Sequence, residues 1–74
     1  MQNYHITREG ERWLLREEGD RRVLIETASR DEILREARDY MKLRTAMVRV
    51  HGDDGGVEEE HRYPEEQNPL ASRG

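Results

Sequence analysis

Val48-Arg49-Val50-His51-Gly52-Asp53-Asp54-Gly55-Gly56-Val57 decides how this chain folds. It reads as a strand that enters a glycine-rich turn and leaves as a second strand. Glycine supplies the positive φ that a tight hairpin turn needs, and aspartate tolerates turn geometry through its own side-chain hydrogen bonds. Upstream, Ala46, Val48 and Val50 alternate as the buried face of the incoming strand. Downstream, Val57-Glu58-Glu59-Glu60-His61-Arg62-Tyr63 reads as a strongly charged strand that Pro64 ends. Charge suits an edge, because it discourages another chain from pairing there.

Working outward, the hairpin follows the chain's one good helix signal. Ser29-Arg30-Asp31-Glu32 has the spacing of a capping box: Ser29 accepts from the N–H of Glu32, and Glu32 reaches back to the N–H of Ser29. Ile33, Leu34, Ala37, Tyr40 and Met41 then share one helical face, and Arg35, Arg38, Asp39 and Lys42 the other, which predicts a helix over about 30–43. Before it, Tyr4-His5-Ile6-Thr7, Trp13-Leu14-Leu15-Arg16-Glu17 and Val23-Leu24-Ile25-Glu26-Thr27 read as strands joined by short turns, an antiparallel meander. The expected order is β-β-β-α-β-β. It describes an α+β domain over residues 1–63, a small antiparallel sheet with one helix packed on one face, followed by a mobile tail over 64–74. The expected core is Ile6, Trp13, Leu15, Val23, Ile25, Leu34, Ala37, Met41, Val48 and Val50. The other sheet face shows Arg16, Glu26 and Arg49 with His5 and Leu14, and meets either water or a partner.

Composition narrows the function classes. Only 32% of the 74 residues are hydrophobic and 41% are charged, close to the composition at which chains fail to fold. Leaving the tail unordered, or sharing a core between two copies, relieves that shortage, so a homodimer is one expectation. Without cysteine the chain has no disulfide staple and no thiolate zinc site. No apolar run is long enough for a membrane span and no signal-peptide core is present, so the expected location is cytoplasmic. Net charge is −4, and acid gathers behind the turn, where residues 51–74 hold two arginines against seven acids and would repel a phosphate backbone.

Four features in order carry a resemblance: Tyr4-His5-Ile6 at the start, Trp13 opening the second strand, a capped helix containing Ala37-Arg38, and Val50-His51-Gly52-Asp53-Asp54-Gly55. Together they resemble a family of short bacterial proteins classed as a domain of unknown function. Its members read aromatic-His-Val, Gly-x-Trp-x-Val, a helix, then Val-Ile-His-Gly-x-Asp-Gly. This chain departs in its tail, where Asn68-Pro69-Leu70-Ala71-Ser72-Arg73-Gly74 keeps one proline and the final glycine of the family's ending, and in the acidic Glu58-Glu59-Glu60. The resemblance implies a bacterial or phage-borne origin and a compact sheet-plus-helix fold. It brings no reaction and no catalytic residues.

The residues themselves give little support to chemistry. His51 and His61 flank the last hairpin with Asp53, Asp54 and Glu59 between them, but they lie ten residues apart and pairing across the turn does not bring them together. The loop also lacks the ligand pattern of an EF-hand. No metal site and no cofactor is expected, and His51 is read as an anchor for the turn, bonding a carbonyl or the Asp53 carboxylate. Ser29 is a helix cap, Ser72 lies in the tail, and a chain this small offers little concave volume, so the expectation is no enzyme and no catalytic residues. Arg8, Arg12, Arg16, Arg21 and Arg22, on or between the first strands, offer a nucleic-acid surface. Six interleaved acids and a pI near 5.4 oppose it, and Trp13 is read as core. The favoured reading is a protein-binding domain that meets its partner by strand addition or face packing, through Arg16, Arg49, His51, Asp53, Asp54, Glu58 and Glu60. The partner's identity is left open. Glu58 and Glu60 fall on one strand face and Glu59 and His61 on the other, which argues against an acidic mimic of nucleic acid.

Overall fold

Ser29 begins the helix as its sequence requires. In the computed structural model, which describes residues 2–64, Ser29 is extended (φ −140°, ψ 159°) and its hydroxyl accepts from the Glu32 N–H at 3.2 Å. The Glu32 carboxylate returns to the Ser29 hydroxyl, also at 3.2 Å, and not to the backbone N–H expected of it. Helix α1 (Arg30–Tyr40) carries acids in its first turn and Arg38 in its last, the charge order the helix dipole favours. It ends earlier than position 43 because Met41 caps it, its N–H bonding Ala37 at 2.9 Å, and a tight turn to Arg44 leads into the next strand.

The strands are β1 (Gln2–Glu9), β2 (Arg12–Glu17), β3 (Ile25–Thr27), β4 (Ala46–His51) and β5 (Val57–Tyr63). They form one five-stranded sheet in the order β3-β2-β1-β4-β5, so the fold is α+β. The first three strands make the expected meander, and β4 and β5 the expected hairpin. One pairing corrects the all-antiparallel expectation: β1 and β4 run parallel. The helix carries the chain from the edge strand β3 back across the sheet to the far side of β1. A single crossover helix delivers the next strand in the direction of β3, which is also that of β1.

Only Ile25–Thr27 of the expected third strand is strand, although the Leu24 N–H still bonds the Leu15 carbonyl at 2.8 Å, and Val23 is exposed. The Asp20 carboxylate takes the Arg22 N–H at 2.9 Å and its guanidinium at 3.0 Å, so this approach to β3 is tied into a turn. The core lies between α1 and the sheet. Tyr4, Ile6, Leu15, Ile33, Ala37, Met41, Ala46, Val48, Val50 and Tyr63 fill it, with Trp13, Leu24, Ile25, Leu34 and Tyr40 partly buried around them. Ile33 thus replaces Leu34 as the central helix residue, because Ile33, Ala37 and Met41 form a single four-residue row. Trp13 sits at the rim, opposite Arg8 and Thr27 at the end of β2. Among the described residues no helix is long and apolar enough to cross a membrane. The expected mobile tail from Glu65 onward lies outside the described residues.

The uncovered sheet face and its histidine chain

Strand alternation sorts the polar residues. Tyr4 and Ile6 of β1 point to the helix, so Asn3, His5, Thr7 and Glu9 point away. The register then fixes who stands beside them: Arg16 and Arg49 flank His5, Leu14 is opposite Thr7, Glu26 is opposite Leu14, and Glu60 is opposite Arg49. Arg16, Glu26, Arg49, His5 and Leu14 therefore share the face the sequence assigned them.

This face is laced with ion pairs. Arg16 bonds Glu9 at 2.9 Å and also the Arg21 carbonyl at 3.1 Å, Arg12 bonds Glu26 at 2.9 Å, and Arg49 bonds Glu60 at 3.2 Å and Asn3 at 3.0 Å. Leu14, which faces away from the helix between Arg12 and Arg16 on β2, is 6% exposed. Opposite it on β1, the Thr7 hydroxyl is buried without a hydrogen-bond partner among the described residues.

His5 and His51, 46 positions apart, meet here with His5 Nδ1 and His51 Nε2 separated by 2.7 Å. The outer nitrogens are also engaged: His5 Nε2 lies 2.8 Å from a Glu18 carboxylate oxygen, and His51 Nδ1 lies 2.9 Å from the Gly55 carbonyl. Anchoring of the turn by His51 through a carbonyl is as expected; the partnership with His5 is not. The contact depends on the parallel β1–β4 pairing, a non-local fact that single-strand patterns do not carry. The ring centroids are 4.9 Å apart with a 40° tilt, so the two nitrogens face each other nearly head-on. A zinc ion bound to both at about 2.0–2.1 Å would be squeezed to an N–Zn–N angle of about 80°. The geometry is that of an N–H···N hydrogen bond.

The other sequence candidates occupy the turn and its margins. Asp54 accepts from the Gly56 N–H at 2.9 Å, and Asp53 lies 3.7 Å from Arg8. Gly55 has φ +87°, a conformation that favours glycine. At Gly52 a side chain would make the flexible Glu58 side chain shift, since its carboxylate oxygen lies 2.8 Å from where a Cβ would stand. A register shift between Val50 and His51 brings the strand into this turn. On the helix-covered face, His61 and Arg30 both bond Glu59, and these bonds, that of His61 foremost, hold its carboxyl below the usual range. His61 thus stands apart from His51, as the spacing required, and among the described residues no three His, Cys, Asp or Glu side chains gather as a metal would need.

Of the five arginines considered for nucleic acid, Arg8, Arg12, Arg16 and Arg22 each face a carboxylate, of Asp53, Glu26, Glu9 and Asp20 respectively. They do not share a surface. Arg12 and Arg16 lie on the uncovered face, Arg8 points to the helix side at the end of β1, and Arg21 and Arg22 belong to the turn before β3. The described concavities are open depressions against the helix, one lined by Glu32, Arg35, Glu36 and Asp39, another by Leu34, Arg35, Arg38, His61 and Tyr63 with Asp31.

A family model described as an uncharacterized protein conserved in bacteria, DUF2188, matches residues 4–63. The chain belongs to that family. The match runs from Tyr4, the first fully buried side chain of β1, to Tyr63, the last residue of β5, and so takes in all five strands and the helix. Both histidines of the chain described above lie in the motifs through which the sequence resembled this family, His5 in the opening one and His51 in the turn. No curated protein and no solved structure matches the chain.

Proposed function

We propose that this member of the family is a non-enzymatic interaction domain of the cytoplasm that docks a protein partner on the uncovered face of its sheet. The observation that carries this reading is the pairing on that face: Arg12, Arg16 and Arg49 are each matched by a carboxylate of the sheet itself. A surface of alternating, internally balanced charge has no net field to attract a polyanion, but it fits a protein surface of mixed charge, where complementarity sets register and specificity. Asp53 and Asp54, in the turn after β4, and Glu58, near the start of β5, follow His51 of this face along the chain. A second copy of the chain is one protein that such a face can meet.

Affinity capture from a bacterial lysate tests the reading. Arg16→Glu with Arg49→Glu should abolish capture of the partner that wild type retains, while Arg35→Glu with Glu36→Arg on the outer helix surface should leave it intact. Equal capture by both variants would overturn the choice of face. Binding to duplex or single-stranded nucleic acid that falls steeply with salt and is lost in Arg16→Ala and Arg21→Ala would replace the reading with the nucleic-acid one.

A further inference from the structure

The Glu18–His5–His51–Gly55 chain has three links, and the acceptors at its two ends settle where its protons lie. A carbonyl only accepts, so His51 Nδ1 carries a proton toward Gly55; an ionised carboxylate only accepts, so His5 Nε2 carries one toward Glu18. Two neutral imidazoles own two protons, and both are now placed. The inner nitrogens, 2.7 Å apart, would then present two lone pairs to each other. A third proton between them closes the chain. A fourth would set two N–H groups head to head and force the inner contact open.

We propose that this chain is a proton-dependent clasp that fastens the β4–β5 turn to strand β1 when the two rings hold one shared extra proton, and releases it when they hold none or two. The inference is independent of the docking reading. The shared positive charge is balanced by Glu18, the carboxylate facing His5 from the end of β2. Most of the other charged groups around the rings are already engaged. Arg16 on β2 is held by Glu9, Arg49 on β4 by Glu60 of β5, and Asp53 of the turn stands near Arg8, while Asp54 accepts a turn N–H and Glu58 lies against Gly52. With two extra protons the outer links survive, since both still have donors, and only the inner one fails. Release in acid therefore parts His51 from His5 while His51 stays bonded to Gly55 and Asp53 stays near Arg8.

Nuclear magnetic resonance of the imidazole nitrogens and their protons over a pH series tests this on the full chain. The expected result is a low-field N–H signal from the inner link that is present in a middle window and lost on both the acid and the alkaline side. The nitrogen shifts of His5 and His51 should change together. His5→Gln and His51→Gln should each abolish the signal, and His61→Gln, on the other face, should leave it unchanged. Independent titration of His5 and His51 in wild type, or a low-field signal that survives His51→Gln, would overturn the clasp. Should a variant fail to fold, the wild-type profile alone decides, because a contact without a shared proton gives no such window.

Discussion

The two faces of one sheet are built from alternate residues of the same strands, and they do different work. Toward the helix, Tyr4, Ile6, Leu15, Val48 and Val50 are almost wholly removed from water. Away from it stand His5, Arg16 and Arg49, held by ion pairs and hydrogen bonds that stay within reach of solvent. Apolar burial contributes kilocalories per side chain, while an exposed ion pair contributes about 0–1 kcal/mol. The covered face thus carries the stability, and the open face contributes little to it.

The contrast breaks if helix-side truncations are cheap. Ile33→Ala, in the centre of the helix row, should lose about 2–5 kcal/mol in urea unfolding, enough to leave a domain of this size largely unfolded. Leu14→Ala sharpens the comparison, because Leu14 is buried although it lies on the open face. Its loss should fall near the bottom of that range, about 2 kcal/mol, because a site without helix cover relaxes more easily. Ser29→Ala removes the cap of the covering helix and should lower stability by about 1 kcal/mol, read in the same unfolding experiment.

Smaller effects come from charges. Glu59 has its carboxyl held below the ordinary range by His61 and then Arg30, so its contribution is present above the unfolded value of about 4.3 and fades as pH falls through the lower folded one. Because the carboxylate is 42% exposed, solvent screening limits the contribution to less than about 1 kcal/mol. Glu59→Gln should be that much less stable than wild type at pH 7, and the gap should close in acid. Arg12→Ala, which opens the exposed pair with Glu26, should move the unfolding midpoint by no more than a few tenths of a kcal/mol, roughly the worth of a surface pair.

Local chemistry made much of this fold legible. The Ser29 cap, the helix stripe, the last hairpin and the residues of the open face all follow from spacings of four residues or fewer. The rest depends on tertiary partners. Leu34 and Ile33 both fit an amphipathic stripe, and only the tilt of the helix on the sheet puts Ile33 at its centre. Val23 has strand propensity, but the Asp20–Arg22 turn claims the backbone before it. Tyr4 and Tyr63 are buried because the sheet's middle and last strands lie under the helix layer, which their polar neighbours did not disclose. The site shows the same division. His51 as a turn anchor was readable from its glycine-rich neighbours; its contact with His5 rests on two strands that pair across most of the chain's length.

Adjacent residues of β1 offer the most direct test, because Ile6 and Thr7 belong to opposite faces of one strand. Denaturant unfolding of Ile6→Ala and Thr7→Val should diverge. Ile6→Ala should cost about 2–5 kcal/mol, by opening a cavity under the helix. Thr7→Val should cost nothing or add up to about 1 kcal/mol, because it replaces a buried hydroxyl that has no partner among the described residues. Comparable losses from the two substitutions would contradict the account, since they would show that both faces of the sheet hold the fold together.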